Sequence, residues 1–127
     1  MKEEKEVSTL VAVMSALDGF WLCHRYTAIP VDSTPTRLYG TYHQARADGT
    51  ERIFTNSSAF WLDVTKYSQG KEFLWEVQVC YGTEEKIAGF HFTIDRDRKM
   101  RIAPDLRALT RVPTDDEVET LLSFLRC

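Results

Sequence analysis

The chain has 127 residues, 43% of them hydrophobic and 28% charged, with a formal net charge of −3. That length fits one α+β domain able to bury its own core, and the composition excludes an intrinsically disordered chain. A mildly acidic chain is poorly placed to neutralise phosphates globally, which sets nucleic-acid binding aside as a general property.

From Glu3 to Asp18 the apolar residues Val7, Leu10, Val11, Met14 and Leu17 recur at helical spacing, behind acids that the helix dipole favours in a first turn. Gly19 reads as the C-cap. The five apolar residues are expected to form one buried stripe against a sheet. The leading region carries acid as well as base, unlike a secretory leader, and no apolar run reaches the roughly 20 residues that span a bilayer. The expectation is a cytoplasmic protein without membrane contact.

After Gly19 the hydrophobic period changes from 3.6 to 2. Segments near 20–29, 36–46, 51–56, 59–67, 72–82, 86–95 and 99–103 read as strands rich in aromatic and β-branched residues. The turns between them are too short for crossover helices, so the strands must form antiparallel hairpins and a meander. Asp48-Gly49 suits a two-residue hairpin that would set Arg46 opposite Glu51. At the far end Thr114 and Glu117 form a capping box, followed by the stripe Val118, Leu121, Leu122 and Leu125.

The predicted fold is therefore a long N-terminal helix, a curved antiparallel sheet of six to seven strands, and a short C-terminal helix. The alternative is a small closed β-barrel with flanking helices. A curled sheet with a helix in its palm is similar to the cystatin-like and nuclear-transport-factor-like arrangements. Closure would resemble a lipocalin-like barrel, and Gly19-Phe20-Trp21 matches the Gly-x-Trp that opens one. These are analogies of architecture and carry no function.

The stretch "DGFWLCHRYTA" sets Cys23 beside His24. Read as a strand, it turns the two side chains to opposite faces, so they cannot act as a local catalytic pair or share a metal. Cys23 then reads as a packed thiol. His24 and Tyr26 fall on the more apolar face, where they could orient a small ligand. The three cysteines Cys23, Cys80 and Cys127 lack any short spacing, which argues for three free thiols in a reducing compartment and against a zinc site.

A second set of candidates comes from register. Joining the apolar faces of the strands through the loop "GTEE" sets Trp75 opposite Phe92 and Glu76 opposite His91, with Trp61 or Asp63 next in the row. A histidine beside a carboxylate and an aromatic suits ligand binding or acid-base work. Arg96, Arg98, Lys99 and Arg101 form a basic patch, interrupted by acids, that suits an anion or RNA.

No catalytic signature is present: no phosphate loop, His-Glu-x-x-His, Gly-x-Ser-x-Gly or Cys-x-x-Cys. The leading expectation is a non-enzymatic accessory, inhibitor or regulatory module that contacts a protein partner or a second copy of itself as a homodimer. Its aromatics would anchor the interface. A small-ligand pocket in the curl of the sheet is the alternative and RNA binding the third option. No cofactor or metal is expected.

Overall fold

The computed structural model describes residues 2–25, 40–45, 49–67, 72–82, 87–104 and 110–126. Helix α1 (Lys2–His24) precedes six strands, β1 (Gly40–Ala45), β2 (Glu51–Asn56), β3 (Phe60–Lys66), β4 (Phe73–Gly82), β5 (Ile87–Asp95) and β6 (Met100–Ala103), and helix α2 (Asp115–Phe124) closes the chain. The strands form one antiparallel sheet in the order β1-β2-β3-β4-β5-β6. It is open, not a closed barrel. Both helices pack on the same face.

Period-2 alternation explains which face they cover. Ile53, Leu62, Val64, Trp75, Val77, Val79, Phe90, Phe92, Ile94 and Ile102 point to the helices and are buried. From α1 come Val13, Leu17, Phe20 and Trp21, and from α2 Val118, Leu121 and Leu125. Burying one such side chain contributes about 1.5–3 kcal/mol. Thr114 and Glu117 make the reciprocal capping box that starts α2. Lys5 Nζ meets Asp115 Oδ2 at 2.7 Å and pins the start of α1 to the start of α2.

Where it is described, the first predicted strand is helix and turn. Residues 20–24 continue α1, so Gly19 is an interior helical residue and Gly19-Phe20-Trp21 opens no barrel. A helical glycine costs about 1 kcal/mol relative to alanine. Phe20 and Trp21 outweigh that cost, because at three and four residues beyond Leu17 they extend the buried stripe. Trp21 packs edge-on against Trp75 with ring centroids 5.6 Å apart, and Lys66 Nζ lies within 5.6 Å of both rings.

The stripe itself is rotated from the expected one. Leu17 is buried, and Leu10 and Met14 pack at the edge of the core, but Val7 and Val11 are 60% and 62% exposed and Val13 takes their place. Val7, Val11 and Leu22 all point to solvent on α1. With this second apolar strip the 21 residues Glu4–His24 are long and apolar enough to cross a bilayer, a length that the reading of separate short runs missed. In this structure the helix lies on the sheet.

Cys23 is exposed and disulfide-bonded, whereas Cys80 is free. The expectation of three free thiols is therefore wrong, since spacing along the chain cannot exclude a bond between cysteines that folding brings together. Cys127 lies outside the described residues. The case for a reducing compartment, which rested on those thiols, falls with them.

Candidate functional site

The opposite face of the sheet is built by the alternate residues of the same strands. Two rows cross it. One reads Tyr42, Phe54, Asp63, Gln78, His91 and Ala103, and its neighbour reads Gln44, Arg52, Thr65, Glu76, Thr93 and Arg101. Among the described residues no helix packs on this face. Four predicted site residues, Trp61, Asp63, Glu76 and His91, share it.

His91 and Glu76 do meet, with Nε2 and Oε2 3.0 Å apart. They are not opposite one another, as the "GTEE" loop implied. Ile87 pairs with Gly82, so the connection occupies residues 83–86, His91 faces Gln78 and Glu76 faces Thr93. By the same shift Trp75 faces Ile94, and Phe92 faces Val77. A slip of two residues keeps every side chain on its face, and a long side chain reaches its diagonal neighbour. Tyr67 donates its hydroxyl to Glu76 Oε1 at 3.1 Å, so both carboxylate oxygens are engaged. The carboxylate holds the imidazole in one orientation.

Asp63 lies in the row of His91, two strands away and about 10 Å distant by strand spacing. It accepts from Thr65 Oγ1 at 3.3 Å and approaches Arg52 Nη2 at 3.4 Å. The Arg52 guanidinium lies over the Phe54 ring, 4.9 Å from its centroid, and Phe54 stacks on Trp61 at 6.0 Å. Trp61 faces Cys80, which faces Gly89. A Cβ on Gly89 would sit 2.8 Å from the Val79 carbonyl, so this position excludes a side chain and leaves the sheet low beside Cys80.

The other candidates scatter. His24 belongs to α1, on the far side of the sheet, with its ring 4.6 Å from that of Phe20, and burial holds its pKa below the ordinary value. Tyr26 lies outside the described residues, as does Arg46. Glu51 faces Ala45, one register position from the predicted pairing, although Gly49 does adopt the expected positive φ of 88°. Arg96 is exposed at the β5–β6 turn, while Arg98, Lys99 and Arg101 line a separate cleft with Arg111. No group of three or more His, Cys, Asp or Glu residues able to hold a metal occurs among the described residues.

No family model, characterised protein or solved structure matches this chain. Its chemistry must be read from its own side chains. The residues that sequence reasoning missed on the open face are Arg52, Phe54, Tyr67 and Gln78. In "ERIFTN" two adjacent large apolar residues, Ile53 and Phe54, leave the inward face undecided, and only pairing with β3 settles it.

Proposed function

We propose that the chain is a non-enzymatic binding module that meets a protein partner through the open face of the sheet. The observation that carries this reading is the pair of half-buried side chains Trp61 and Arg52, joined through the buried ring of Phe54 on the face opposite the helices and set among the polar pairs Arg52–Asp63 and His91–Glu76. Aromatic residues and arginine at the centre of a patch with a polar rim are the anatomy of a protein interface. The side chains of α1 and α2 fill the other face, which weighs against a ligand held in the curl of the sheet.

Cys80 provides the test, because its free thiol neighbours Trp61 across the β3–β4 pair. A benzophenone maleimide on Cys80 should cross-link one discrete protein in extracts of the producing cell, and Trp61→Ala should abolish the product. The same reagent on Glu119→Cys, in a Cys80→Ser background, should give none. Equal labelling from both positions, or none from Cys80, rejects the reading.

A further inference from the structure

We propose that the cleft between the start of α1, the β5–β6 turn and Arg111-Val112 binds a small amphipathic anion, with one phosphate or carboxylate head and a short apolar body. The cleft is about 460 Å3 and is lined by Arg98, Lys99, Arg101 and Arg111 around Leu10, Met100 and Val112, with Glu6 the one acid among the described lining residues. Small-ligand sites span about 300–1,000 Å3 and combine an apolar lining with a few converging polar groups. In a chain of net charge −3, four cations gather around this one cleft.

Two of these cations already have carboxylate partners. Arg101 Nε donates to Asp95 Oδ2 at 3.1 Å, and Arg111 forms a bidentate pair with Glu117 at 2.7 and 2.8 Å. The backbone of Arg111 is also fixed, by two hydrogen bonds to Ile102 on the edge of the sheet. The side chains of Arg98 and Lys99 make no hydrogen bond or ion pair within the described residues. They are left for an anion.

Arg98 supplies an independent sign. Its φ of 61° is left-handed, in a turn closed by Arg98 N–H to the Asp95 carbonyl at 2.8 Å and Asp95 N–H to the Lys99 carbonyl at 3.0 Å. Glycine makes that conformation without strain, and a residue with a Cβ does not. An arginine there adds nothing to the turn and adds a cation to the cleft. Val112, 67% exposed, leaves at the same cleft an apolar side chain that a ligand's body would cover.

The nearby acids select the ligand class. Glu6, Asp95, Asp97 and Glu117 would repel a polyanion tracking across the surface, whereas a single head can sit between Arg98 and Lys99. A purely apolar ligand would leave both cations unanswered.

Methyl NMR of the full chain, titrated with hexyl phosphate, tests the proposal. Saturable shifts are expected at Leu10, Met100 and Val112, with inorganic phosphate and hexanol each binding at least tenfold more weakly. Arg98→Gly should weaken hexyl phosphate tenfold or more while raising the thermal midpoint, a split that an arginine serving only the turn would not produce. Lys99→Ala should weaken binding without that rise. Co-sedimentation with vesicles containing phosphatidic acid, lost in Arg98→Gly, would place the head in a bilayer, and no sedimentation beside tight hexyl phosphate binding would make the ligand a free molecule. Shifts elsewhere, no saturable binding, or unchanged affinity in both variants overturns the site.

Discussion

The two faces of this sheet come from the same strands and differ only by the parity of residue number, yet they have opposite character. On one, Leu62, Val64, Val77, Phe92 and Ile94 are at most 1% exposed beneath two helices. On the other, Arg52, Asp63, Glu76 and His91 keep 15–27% of their side-chain surface and bind one another. The second face also buries Gln44, Phe54, Thr65 and Thr93 to 3–7% exposure, so it is its half-buried residues, Trp61 and the charged pairs, that can change without dismantling the fold.

The sharpest way to break that contrast is a pair of truncations. Phe92→Ala should cost about 3–5 kcal/mol in denaturant unfolding, as large-to-small core changes do. Trp61→Ala on the open face should cost well under half as much, while abolishing the Cys80 cross-link. Comparable losses would mean that the open face is structural.

Next in size is the tether on the helical layer. Reducing the disulfide at Cys23 should lower unfolding free energy by about 2–4 kcal/mol. Unfolding curves with and without reductant measure it, and Cys80→Ser should leave the difference unchanged. If reduction has no effect, the helix is held by packing alone.

The smallest effect concerns His24, where burial lowers the folded pKa below the unfolded value of about 6.5. The folded state then binds fewer protons than the unfolded one. The contribution of His24 is fully present above the unfolded pKa and is lost as pH falls through the folded one. Stability of the parent should drop between pH 7.5 and 5 by more than that of His24→Phe. Parallel pH profiles for the two would remove His24 from the helical layer's account.

Much of this fold was legible. The last six predicted strands lie within four residues of the observed ones at each end, and α2 was fixed by its capping box, because both signals are local. What failed was decided by distant partners. Nothing local distinguishes "FWLCH" as a strand from the last turns of α1, and only docking on Trp75 and His43 makes the helix preferable there. The site was half legible for the same reason. Alternation placed Trp61, Asp63, Glu76 and His91 on one face, but register belongs to the loops, and both tested registers moved. Arg111 belongs to the same basic stretch of sequence, but its place in the cleft was not legible, since it depends on a bridge to Ile102.

The meander has a consequence in time. Each strand pairs only with its neighbours in the chain, so every hairpin closes a short loop at small entropic cost, and the sheet can assemble stepwise as it emerges from synthesis. Helix α1 is made first, yet the surface it covers is completed only when β5 and β6 arrive. Through that interval Val13, Leu17, Phe20 and Trp21 stand in water beside the apolar strip of Val7, Val11 and Leu22. The nascent helix is then hydrophobic on two sides, and it is the segment through which a stalled chain would aggregate or engage a chaperone.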